Sequence, residues 1–131
     1  MIFHTANMSE APNIHIKDGP EALEWLRANG HEAALASNRF RSTAEAITFV
    51  EQLYAAGARR VFVPADTIID DEEERELGGP YSDSLVIQLS GSDVPESLAR
   101  LYCEEATLEG YDLREGPPPP IAGRYLFLWW D

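Results

Sequence analysis

Apolar positions fall at helical spacing in residues 18–30, where Leu23 and Leu26 form a stripe with Ala22 on its flank and Trp25 beside it. Asp18, Pro20 and Glu21 make a helix start, and Gly30 makes a stop, so the spacing predicts a helix opened by Asp18. Just before it, Asn13 to Lys17 (NIHIK) alternates and reads as a short edge strand. Residues 1–11 show little periodicity and read as a flexible lead. His31 to Ser37 (HEAALAS) is ambiguous; a strand is expected from about Glu32, because a capped helix begins directly afterwards.

Ser42 and Glu45 form an S-x-x-E capping box, and the helix they open runs to Gly57. Ile47, Val50, Leu53 and Tyr54 share one face of it. Arg59 to Ala65 (RRVFVPA) and Ser84 to Ser90 (SLVIQLS) read as buried strands. Asp93, with Glu96 three residues on, caps a helix to Glu109 whose stripe is Val94, Leu98, Leu101 and Leu108, and Gly110 closes it. Tyr111 to Glu115 reads as a short strand, and Pro117 to Pro120 as a stiff connection. Arg124 to Trp130 (RYLFLWW) is apolar on both faces, the pattern of a central or helix-covered strand.

Strand, helix, strand, strand, helix, strand is the order of a ferredoxin-like split βαβ sandwich, an α/β (α+β) fold, here with an N-terminal strand and helix added. Helices would cover one face of a mixed sheet. The alternative makes residues 70–77 (DDEEEREL) a helix between the two middle strands, which gives a doubly wound α/β three-layer sandwich. The first is preferred, because these mostly charged residues offer no apolar stripe to hold a crossover helix on a sheet. No linker or repeat divides the chain, so residues 1–131 read as a single domain.

Composition narrows the class. A chain of 14.6 kDa that is 44% hydrophobic can bury a core without disulfides or metal. No apolar run is long enough to span a bilayer, and the start lacks the pattern of a secretory signal. A single cysteine, Cys103, makes no internal disulfide, so a cytoplasmic location is expected.

The net charge is −13 and it is uneven. Residues 1–60 hold seven acids and six bases, whereas residues 61–131 hold sixteen acids and four bases. The second half repels nucleic-acid phosphate and anionic lipid, so neither nucleic acid nor a membrane is an expected partner. A basic protein surface fits this charge, and so does plain solubility. Association with a second copy of the chain stays open.

Catalytic signatures are missing: no G-x-G-x-x-G, P-loop, G-x-S-x-G or H-E-x-x-H occurs. His4, His15 and His31 have no ligand spacing, Lys17 is the lone lysine, and Cys103 falls within a helix as a small hydrophobe. No metal, cofactor or catalytic residue is assigned. Asp66 to Glu76 (DTIIDDEEERE) carries seven acids and one arginine in a connection longer than an ordinary hairpin loop. It reads first as a solvated loop and second as a docking site for a basic partner through Asp66, Asp70, Asp71, Glu72, Glu73, Glu74 and Glu76. A metal site comes last, because adjacent acids on an extended loop point apart and the EF-hand alternation is missing.

Ser37 to Thr43 (SNRFRST) offers a different chemistry. Arg39 and Arg41 flank a helix N-terminus capped by Ser42, where a phosphate or carboxylate could dock. The competing reading pairs both arginines with acids of the chain and packs Phe40 in the core. Gly78 to Tyr81 reads as a turn, and Trp129 and Trp130 alternate faces, which puts one in the core.

FVEQLYAAGARRVFV and the ending YLFLWWD resemble a group of small uncharacterised bacterial proteins. The resemblance rests on core positions of helices and strands. It implies a compact bacterial domain and transfers no activity. The expected function is therefore a non-enzymatic acidic protein-binding module, such as an immunity protein, antitoxin or inhibitor of a basic partner. The alternative is a regulatory domain that senses a small anion at Arg39, Arg41 and Ser42.

Overall fold

The computed structural model describes residues 16–108 and 116–130. In chain order they form helix α1 (Ala22–Arg27), helix α2 (Thr43–Ala55), strand β1 (Arg60–Phe62), a 3-10 turn (Ala65–Thr67) and helix α3 (Glu72–Glu76). Strand β2 (Ser84–Gln88), helix α4 (Glu96–Leu108) and strand β3 (Tyr125–Trp129) follow. The class is mixed α+β. Its sheet has three strands in the order β1-β2-β3, and both pairings are antiparallel.

Alternation along the strands sorts the sheet into two faces. Val61, Ile87 and Leu126 share one cross-strand row, Leu85 and Leu128 another, and all five join the main core. Leu26 of α1, Val50 and Leu53 of α2, and Leu98 and Tyr102 of α4 pack into the same core. Trp130 closes it beside Phe40 and Phe49, with ring centroids 5.5 and 6.1 Å away, so Trp130 is the tryptophan of the core. Edge-to-face rings at these distances add attraction beyond the area they bury.

Ser42 caps α2 as expected, its hydroxyl accepting from the Glu45 N–H at 3.1 Å, while the Glu45 carboxylate lies toward Arg39 and makes no return bond to the Ser42 N–H among the described residues. The first helix opens later than expected. Its cap is Glu21, whose carboxylate accepts from Leu23 and Glu24 N–H groups, while Asp18 is paired with Arg60. Residues 18–21 instead lie along β1, with the Val63 N–H donating to the Pro20 carbonyl at 2.9 Å. Gly19 makes this approach feasible, since a Cβ there would fall 1.8 Å from the Val63 carbonyl oxygen. The last long helix likewise begins at Glu96 rather than at the expected Asp93 cap. Of the NIHIK strand, Ile16 and Lys17 are described and are not in a strand; its other positions, like Tyr111–Glu115 and residues 1–11, lie outside the described residues.

Two further sequence expectations are corrected. The strand from Glu32 is reduced to one parallel bridge, Leu35 to Ser82. Side chains claim its ladder groups: the Ala33 N–H goes to His31 Nδ1 and the Ala34 N–H to Thr43 Oγ1. Ala36 then turns the chain with φ at +41°. The other correction concerns residues 70–77, where Glu72–Glu76 is a helix capped by Asp71 and not an open loop. The doubly wound alternative fails all the same. A doubly wound sheet is mostly parallel, and this one is antiparallel throughout. α3 buries no residue of its own, so it covers no sheet face.

Candidate docking surface

The acidic segment is clasped at its base. Ile69 and Tyr81 pair antiparallel, with N–H to carbonyl distances of 2.7 and 2.9 Å, and the chain between them makes a closed excursion carrying α3. Asp71 opens the helix by accepting from the Glu74 N–H at 2.9 Å. Gly78 and Gly79 close it with φ at +115° and +159°. These glycines also allow close packing. A Cβ on Gly78 would come within 2.2 Å of the Gly30 carbonyl oxygen, and one on Gly79 within 2.3 Å of Asn29 Oδ1.

Glu74 is the acid of α3 that turns inward. Its Oε2 lies 2.8 Å from Nε2 of His31, a buried residue. His31 Nδ1 accepts from the Ala33 N–H at 3.0 Å, so in the neutral ring the proton belongs on Nε2, donated to Glu74. The Tyr81 ring stands 5.8 Å from the imidazole. Asn29 adds a further tie, donating from Nδ2 to the Pro80 carbonyl and accepting from the His31 N–H. A short helix with no apolar face is thus fixed by polar tethers and close backbone approach.

The remaining acids face outward. Asp66, Asp70, Asp71, Glu72, Glu73 and Glu76 are exposed. Asp70 is joined to Arg75, whose Nε is 3.1 Å from Oδ1. Asp66, Glu72, Glu73 and Glu76 make no ion pair among the described residues. Ile69 and Leu77, at the two ends of this stretch, are 46% and 57% exposed. Sequence reading singled out the acids and missed these two apolar neighbours.

The other predicted site is largely occupied by its own chain. Arg39 Nε lies 2.5 Å from Oε1 of Glu105, Nη2 lies 3.3 Å from Oε2, and Glu45 is 3.8 Å from Nη1. The Trp130 indole N–H donates to the same Glu105 Oε1 at 3.2 Å. The guanidinium also sits 4.7 Å from the centroid of the Phe40 ring. Ser42 caps α2, and Arg41 is exposed without an ion pair among the described residues. Glu105 was missed by the sequence reading, although it stands at helical spacing after Leu98 and Tyr102 on the buried stripe of α4. An acid on such a stripe signals a buried partner.

Burial raises the Cys103 thiol above its ordinary range, which disfavours the reactive thiolate. Among the described residues, no three His, Cys, Asp or Glu side chains are placed to hold a metal ion, and no helix is long and apolar enough to cross a membrane. Comparison with family models, curated proteins and solved structures finds no match for this chain.

Proposed function

We propose that this protein is a non-enzymatic docking module that binds a basic protein surface through α3 and its flanks, as an immunity protein, antitoxin or inhibitor does. The observation that carries the reading is the grouping of exposed Glu72, Glu73 and Glu76 with exposed Ile69 and Leu77 on one clasped segment. A purely solvated loop has no need of apolar ends. Such ends supply desolvated anchors, while the acids steer a cationic partner and select against anionic ones. The tethers through His31 and Asn29 hold the surface in one shape, which lowers the ordering cost of binding.

The test is capture of partners from the native host on immobilised protein at low and high salt. Three baits are compared: wild type, Glu72/Glu73/Glu76→Gln, and Leu77→Ala. The reading expects a basic protein held by wild type at low salt, weakened by salt and by the Gln changes, and lost from Leu77→Ala. Recovery of no basic protein, or of one held equally by all three baits, would refute it.

A further inference from the structure

At the opposite end of the sheet from α3, the strand order brings two arginines together. β1 and β3 both run antiparallel to β2, so their first residues flank the last residues of β2. Continuing the registers by one residue puts Arg59 and Arg124 on either side of Leu89. The Arg59 N–H donates to the Gln88 carbonyl at 2.9 Å, and the Leu89 N–H to the Arg124 carbonyl at 2.8 Å. Two strand spacings separate the arginine backbones, about 10 Å. Beyond them the chain leaves β2 as Ser90-Gly91-Ser92, and these residues with Gln88, Arg59, Arg124 and Gly123 line a cleft of about 380 Å³.

The charge there runs against the rest of the molecule. The protein carries −13, yet among the described residues no acid lines this cleft; Asp93 follows Ser92 in the chain but is not part of the wall. Neither guanidinium enters an ion pair among the described residues. The N–H groups of Ser90, Gly91 and Ser92 enter no backbone hydrogen bond among the described residues. A Cβ on Gly91 would meet no atom within 4 Å, so a ligand has open access to that backbone.

We propose that the cleft between Arg59 and Arg124 binds an oxyanion of the phosphate class, either the free ion or a phosphomonoester. Two guanidinium forks approaching from different strands suit a tetrahedral group, which presents oxygens to both at once. A carboxylate offers two coplanar oxygens, a poorer match to forks arriving from two directions. Ser90, Ser92 and Gln88 add neutral donors, and the volume suits a small molecule attached to the phosphate. The site is remote from α3 and does not depend on the docking reading.

The experiment is a titration of the whole protein with inorganic phosphate, glycerol phosphate and acetate, followed by backbone amide chemical shifts at fixed ionic strength. Saturable shifts are expected at residues 88–92 and 123–124 with both phosphates. Tighter binding of the free ion identifies it as the ligand; tighter binding of the ester identifies a phosphorylated small molecule. Arg59→Gln and Arg124→Gln should each weaken binding by about tenfold or more, while Arg41→Gln leaves it unchanged. Circular dichroism checks that the variants fold. No saturation with either phosphate, acetate binding as well as phosphate, or wild-type affinity in both arginine variants would each overturn the assignment.

Discussion

His31 and Glu74 are joined through Nε2 and Oε2 at 2.8 Å, and this contact fastens the acidic helix to the body of the protein. Both groups are largely withdrawn from water, with side-chain exposures of 8% and 19%. Replacing His31 by Ala removes the tether and the acceptor of the Ala33 N–H together. The expected cost is about 1–3 kcal/mol in chemical denaturation. Glu74→Gln keeps an acceptor for the ring N–H and should cost less. Hydrogen exchange at residues 72–79 should quicken more in His31→Ala than in Glu74→Gln.

Arg39 and Glu105 make the second such connection, with Glu105 buried and Arg39 partly exposed, and here the two single variants should differ. Arg39→Ala leaves Glu105 charged among apolar neighbours and should cost about 3 kcal/mol. Glu105→Gln still accepts from the Trp130 indole and should cost less. The double variant, Arg39→Ala with Glu105→Gln, should be more stable than Arg39→Ala alone, because the neutral amide needs no counter-charge. A double-mutant cycle from urea unfolding checks the sign of the coupling.

Tyr54 and Glu21 couple stability to pH at both ends of the scale. Burial works to raise the Glu21 carboxyl, but hydrogen bonds from Tyr54, Leu23 and Glu24 and the charge of Arg27 outweigh it and hold it below its ordinary 4.5. Its stabilisation is present above the unfolded value and is lost as pH falls through the lower folded value. Burial, followed by the Glu21 contact, pushes Tyr54 from 10.0 up to about 12. Its contribution is present below pH 10 and is lost as pH rises toward 12. Tyr54→Phe removes the phenol that donates to Glu21 at 2.7 Å and accepts from Val61 at 2.9 Å. This variant should be less stable at neutral pH by about 1–2 kcal/mol. Without the Tyr54 hydrogen bond the Glu21 pKa lies closer to its unfolded value, so the acid loss assigned to Glu21 should shrink, and the alkaline loss assigned to Tyr54 should vanish. Thermal melts across the pH range read both limbs.

Neutralising the outward acids should separate binding from folding. Glu72, Glu73 and Glu76 carry neither the cap nor the inward tether. Changing all three to Gln should leave stability within about half a kcal/mol. Association with a basic partner should slow while dissociation changes less, since the lost attraction is long-range. Stopped-flow association at two ionic strengths measures this directly, and equal rates would remove the acids from the encounter.

The helices and strands with strong periods were readable in the chain. α2 was legible because Ser42 and Glu45 cap it and Val50 and Leu53 recur on one face, all short-range features. β1, β2 and β3 were legible because their branched and aromatic residues suit a pleated, buried surface, although their ends differ. Residues 70–77 were harder. Charge pattern alone favoured a loop, whereas a cap at Asp71 and a partner distant in sequence, His31, stabilise a helix there. The expected anion site shows the same limit. The sequence already allowed Arg39 to pair with an acid of the chain, but only folding selects that acid, Glu105 of α4. Arg59 and Arg124 are far apart in the chain, and a common strand between them makes them neighbours. Local patterns of cap and period determined which segments became regular, because those energies act within a few residues. Pairings between distant side chains were decided by the tertiary structure, because charge, burial and distance have values only once the chain has closed on itself.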